Sequence, residues 1–228
     1  MKSYEELIIE TLNQRAIIDN RQVVSINDVT PSVLIAFDRA CSEMRDMYNW
    51  VWNKKKISFV TQAGRTAYPM PYGIMRGMSL ADSDNNVCTL DYADELTAKE
   101  GCPTQWSYNW ETEEIEIAPA EKDDQHTMTM EYFDKHIAYH TDRSNPDNLM
   151  KTFDKTGAEA ATTNQFLNVP DVIYEAYSKC VVTLARVYLN EGAQPTVFEA
   201  QKQEFQNALN SLLEYAKTPF YKAQRFEL

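Results

Sequence analysis

His136 and His140 stand four residues apart, with Asp134 and Asp142 beside them. On a helix that spacing would stack two imidazoles on one face, as a metal site uses. The segment instead follows a strand-like pattern into a loop and lacks the glutamate of an H-E-x-x-H motif, so no metal is expected. Glu111, Glu113, Glu114 and Glu116 offer carboxylates for acid–base work. Glu114 and Glu116, however, alternate with Ile115 and Ile117, the pattern of the wet face of a half-buried strand. No serine or cysteine lies in a nucleophile context such as G-x-S-x-G. Lys54-Lys55-Lys56, the densest basic run, falls at a predicted helix-to-strand junction, where cations suit a helix C-terminus. The six glycines include no G-x-G spacing, which excludes the dinucleotide fingerprint and the P-loop. Cys41, Cys88, Cys102 and Cys180 form no C-x-x-C pair and read as free thiols. The expectation is a protein with no catalytic set and no cofactor.

Charge points the same way. The 228 residues carry 22 Lys and Arg against 34 Asp and Glu, a net charge of −12. Residues 82–124 hold 13 acids and 2 bases, so this one stretch accounts for −11. Proteins that grip duplex DNA gain affinity by neutralising phosphates, and this balance argues against that. With 43% hydrophobic residues the chain can build a core, and its 11% aromatic content favours an assembly component. The N-terminus lacks the basic-then-apolar plan of a signal peptide, and no apolar run nears the roughly 20 residues of a membrane span. A soluble product of the cytoplasm is expected.

The elements follow from period and punctuation. Ser3 and Glu6 form a capping-box pattern, and Leu7, Ile8, Thr11, Leu12 and Arg15 continue it to about Ile17. Residues 19–29 read as a loop. Thr30-Pro31 opens a second helix, with Leu34, Phe37, Cys41, Met44 and Tyr48 as its stripe, running to about Trp50. Ile57, Phe59 and Thr61 then alternate, as do Ile115 and Ile117, and Met128, Met130 and Tyr132, so 56–134 reads as a meander of short strands. Residues 138–168 show little periodicity and read as a long loop. Helices return after Pro170, with Ile173, Tyr177, Cys180, Val181, Leu184 and Val187 inward, and after Pro195, with Phe198, Phe205, Leu209, Leu212 and Leu213 inward. Thr218-Pro219 ends the last helix and leaves a ten-residue tail with three aromatics.

The order of these pieces resembles the head-to-tail adaptor family of tailed, above all short-tailed, bacteriophages. The residues carrying the resemblance are Trp50-Val-Trp52, Phe59-Val-Thr61-Gln-Ala-Gly64, Tyr68-Pro-Met-Pro71 and Pro103-Thr-Gln-Trp106. They continue with Ile115-Glu-Ile117-Ala-Pro119, Met128-Thr-Met130-Glu-Tyr132, Leu167-Asn-Val-Pro170 and Ile173-Tyr-Glu-Ala176. Each piece is short, and their order across residues 4–216 carries the specificity. Members often place an acidic residue after the tyrosine-proline turn, where this chain has Tyr72-Gly73. The resemblance implies a virion protein of the neck: a ring of about a dozen copies, seated between portal and tail proteins. It implies that genomic DNA passes through without tight binding, and it implies no catalysis.

The expected fold is α+β and mainly helical. Residues 1–53 and 169–218 would form a helical bundle, 54–137 an inserted β-rich lobe, 138–168 a loop and 219–228 an extended docking tail. Trp50, Trp52, Tyr68 and Trp106 are the expected structural anchors. Pro219, Phe220, Tyr221, Lys222, Arg225 and Phe226 are the expected portal or subunit contacts. Two rival readings remain open on sequence alone, a metal-dependent hydrolase using His136 and His140, and a cytoplasmic interaction module unrelated to virions.

Overall fold

The computed structural model describes residues 1–19, 29–82, 86–98, 102–120, 126–153, 164–191 and 194–216. Helix α1 spans Tyr4–Asp19 and starts on a reciprocal cap. The Glu6 N–H donates to Ser3 Oγ at 3.3 Å, and the Ser3 N–H donates to the Glu6 carboxylate at 2.7 Å. Helix α2, Pro31–Met47, opens on the proline and buries Val33, Ala36, Phe37, Ala40, Cys41 and Met44 along one stripe. Helix α3, Asp171–Leu189, is buried nearly all round, because α1, α2 and α4 (Pro195–Ala216) all pack against it.

The stretch 138–168 is not simply a loop. Its described residues contribute three short strands, β8 (Ala138–His140), β9 (Leu149–Met150) and β10 (Gln165–Leu167), in an antiparallel sheet of order β10-β8-β9. Ala138, Tyr139 and Leu167 from that sheet enter the same core as α1–α4. These elements form one compact unit, residues 1–52 and 135–228.

Residues 53–134 form the second unit, with a separate core. Its strands are β1 (Lys54–Val60), β2 (Ala67–Pro69), β3 (Gly73–Ala81), β4 (Val87–Tyr92), β5 (Gln105–Asn109), β6 (Glu114–Ala118) and β7 (Thr127–Asp134). They make one curled sheet, a half-barrel of order β1-β7-β3-β4-β5-β6-β2. Neighbours are antiparallel except β4 and β5, which run parallel.

The mainly helical expectation is therefore wrong: among the described residues about 41% are helix and 29% strand, and the large mixed sheet is more than a meander. Two local features hid that sheet. In β3 the register shifts between Met75 and Gly77, which breaks the two-residue period. In β4 only Leu90 is buried, so almost no alternation is written into it.

One glycine is required by the pairing. A Cβ on Gly73 would run into the Phe133 carbonyl oxygen and the Tyr132 ring. Gly73→Ala should push β3 away from β7 and cost about 1–3 kcal/mol, as overpacking does. Urea melts of the two proteins check this; equal midpoints would show that the strands give way freely.

Candidate functional site

The half-barrel has two faces, set by cross-strand register. On the inner face Ile57, Met130, Met78 and Leu90 form one row across β1, β7, β3 and β4. Phe59, Met128, Leu80 and Cys88 form the next. The outer face is polar in its middle, where Ser58, Thr129, Ser79 and Thr89 make a hydroxyl row and the Ser58 and Thr129 oxygens lie 2.9 Å apart. The next outer row is largely apolar, with Val60, Thr127, Ala81 and Val87 in register. Strand β1 lies at the sheet edge and is exposed on both faces apart from Phe59; Val60 is 61% exposed and Ile57 45%.

The lysine run forms the start of β1, directly after a single 3-10 turn at Val51–Asn53, so it does stand at a helix-to-strand junction, though α2 itself stops at Met47. Lys54 and Lys56, two residues apart and so on one face, both clasp Glu131 of β7, at 2.9 and 2.6 Å. That double pairing holds the Glu131 carboxyl down at about 2. The clasp therefore persists as pH falls below the ordinary carboxylate range and is lost only as pH passes through that value.

The four expected anchors divide between the units. Trp50 is fully buried among the helices, and its indole N–H donates to the Met44 carbonyl at 2.7 Å. Trp52 stacks on it with centroids 4.6 Å apart; the buried Trp52 indole nitrogen has no hydrogen-bond partner among the described residues. Tyr68 of β2 and Trp106 of β5 are buried in the half-barrel, and the Arg65 guanidinium lies 4.9 Å from the Tyr68 ring centre. The expected contact residues Pro219, Phe220, Tyr221, Lys222, Arg225 and Phe226 lie outside the described residues.

The candidate chemistry of the sequence does not converge. His136 precedes β8 and His140 ends it, so extended backbone separates them where a helix would have stacked them. The His140 Nδ1 bonds instead to the Thr141 hydroxyl at 2.6 Å. Among the described residues no three His, Cys, Asp or Glu side chains gather as metal ligands. Burial raises the thiol pKa of both Cys41 and Cys180, the latter to about 12, which keeps them protonated. Glu114 and Glu116 are half-exposed on β6, while Ile115 and Ile117 between them are buried. An open cleft of about 380 Å³ lies against Lys2, Glu6, Asp171, Tyr174 and Glu175. Its hydroxyls are engaged with backbone: Ser178 Oγ donates to the Glu175 carbonyl and the Tyr174 hydroxyl to that of Lys2.

The surface with most to offer a partner is aromatic, and the alternation Trp106, Tyr108, Trp110 announces it. Trp106 packs edge-on against Tyr108 with centroids 5.2 Å apart, and Tyr108 stacks on Trp110 at 4.6 Å. Tyr92 joins from β4, 5.0 Å from Trp106 and 5.9 Å from Tyr108. The pile runs from buried Trp106 out to Trp110, 70% exposed. No helix among the described residues is long and apolar enough to cross a membrane. Comparison of the chain with known protein families finds no match, and neither does comparison with curated proteins.

Proposed function

We propose that the chain is a structural assembly protein, a head-to-tail adaptor that forms a ring between a phage portal and its tail. The family assignment rests on the order of sequence motifs. The observation that supports an assembling role is the edge strand β1, paired with β7 on one side and exposed on both faces. An edge strand offers its unpaired N–H and C=O groups to another chain, and natural proteins blunt such edges when they are to stay single. Here the lysines that would blunt it occupy one end, while Ile57 and Val60 leave the other half apolar. The opposite edge, β2, is three residues long and ends on Pro69, which weakens it as a pairing strand. A heterologous contact that uses a different surface on each copy closes into a ring when its rotation closes.

The double variant Ile57→Lys, Val60→Lys tests this. It should stay folded, with the circular dichroism spectrum of the parent, since both side chains are exposed at the sheet edge, yet fail to form rings on portal particles. Normal rings from the variant would remove β1 from the interface.

In this reading the channel lets DNA slide. Acidic walls repel phosphates, and −12 of net charge provides no counterion release. The full chain should not retain duplex DNA in a filter-binding assay at physiological salt. Micromolar retention that weakens steeply with added salt would contradict a passive conduit. The aromatic tail 219–228, with Lys222 and Arg225, is in this reading the segment that docks on the portal or a neighbouring copy.

A further inference from the structure

We propose that the tip of the β5–β6 hairpin, with Tyr92 beside it, is a docking site for an arginine-rich segment of a partner protein. The inference is independent of the adaptor reading, since it concerns the surface of one free chain.

Trp110 is held outward by construction. The Asn109 side-chain oxygen accepts from the Glu111 and Thr112 N–H groups at 3.1 and 3.2 Å, and its amide donates to Glu116 at 2.7 Å. Glu113 takes a left-handed backbone conformation, φ 55°, and its carbonyl accepts from the Met70 N–H at 3.3 Å. The turn is thus tied on both sides, and one face of the indole rests on Tyr108. Such a preformed aromatic needs little ordering on binding, which is where affinity is usually lost. Tyr92, 50% exposed, widens the platform, and its hydroxyl donates to Asp94 at 2.9 Å.

The rim selects the ligand. Glu111, Glu113 and Glu114 crown the turn, and among the described residues none of them makes an ion pair. Acids elsewhere behave differently: Glu131 holds two lysines, Asp46 holds Arg45 and Lys135, and Glu43 holds Arg39. In sequence, the 82–124 stretch to which the hairpin belongs carries −11. A flat, weakly hydrated cation satisfies both features at once. A guanidinium stacks flat on an indole face and forks to a carboxylate with two parallel bonds, whereas an ammonium meets the ring as a compact, strongly hydrated charge and cannot fork. Phosphate-bearing partners are repelled by the same rim.

The test titrates the full chain with a twelve-residue peptide of alternating arginine and serine, its lysine counterpart, and a neutral glucose oligosaccharide, following tryptophan fluorescence and heat. The arginine peptide should bind about two- to fivefold more tightly than the lysine peptide, because both cations can sit on the exposed ring but only the guanidinium also stacks flat and forks to a carboxylate. Trp110→Ala should weaken it by a similar factor with an unchanged melting temperature, and Trp110→Phe should fall between. Neutralising Glu111, Glu113 and Glu114 to Gln should weaken binding and flatten its salt dependence. Equal affinity for the two peptides, no binding of either, or binding untouched by Trp110→Ala would overturn the proposal. So would binding of the oligosaccharide in place of the peptide.

Discussion

Trp50→Ala should cost about 3–5 kcal/mol of unfolding free energy, the range for removing a fully buried large aromatic. Two separate losses combine. The indole fills space between Tyr48, Trp52 and Tyr177, with ring centroids at 4.8, 4.6 and 5.8 Å, and none of these rings can collapse fully into the void. The indole N–H also closes the end of α2, because Met44 is one of the last four residues whose carbonyls have no partner inside the helix. Trp50→Phe keeps most of the volume and loses the bond, so it should cost roughly 1–3 kcal/mol, the penalty for an unsatisfied buried acceptor. Urea denaturation of the three proteins separates the two contributions. A cost under about 1 kcal/mol for Trp50→Ala would place the residue among surface contacts.

Arg186→Ala should be comparably damaging, at about 3–5 kcal/mol, from two hydrogen bonds to a charged donor at roughly 1.5–3 kcal/mol each. Arg186 lies on α3, and its side chain is almost fully buried. Nε–H donates to the Thr11 carbonyl at 3.3 Å and an Nη–H to that of Glu10 at 2.9 Å, both on α1. Nη1 reaches Glu204 on α4 at 3.5 Å. One guanidinium therefore ties three helices, and its burial lowers its pKa below the usual arginine value. Glu204 is 41% exposed and can rehydrate, so the loss falls mainly on the α1 carbonyls. Arg186→Lys keeps the charge but not the fork, and should recover less than half of the loss. Full recovery by lysine, read as an equal melting midpoint, would mean that charge alone matters there.

The helices were legible because their signals are local. Ser3 with Glu6, Thr30 with Pro31, and the stripes of α3 and α4 each sit within a turn or two of the residues they organise. The second helix stops at Met47, three residues short of the expected Trp50, because Trp50 itself caps its end from outside. The sheet was less legible because pairing is nonlocal. Nothing near Tyr92 indicates that it pairs with Trp106 across a parallel contact. The aromatic surface shows the same division. Alternation places Trp106 and Tyr108 on one face of β5 and continues to Trp110 in the turn that follows. Only the extent of the core beneath them decides that the first is buried and the last exposed.

The central claim, a ring seated on a portal, is tested most directly by electron microscopy of the full-length chain mixed with portal particles from the same genome. The account predicts an added ring of about a dozen subunits beneath the portal, absent when the Ile57→Lys, Val60→Lys variant replaces the parent. Portal particles that remain bare in the presence of excess folded chain would contradict it.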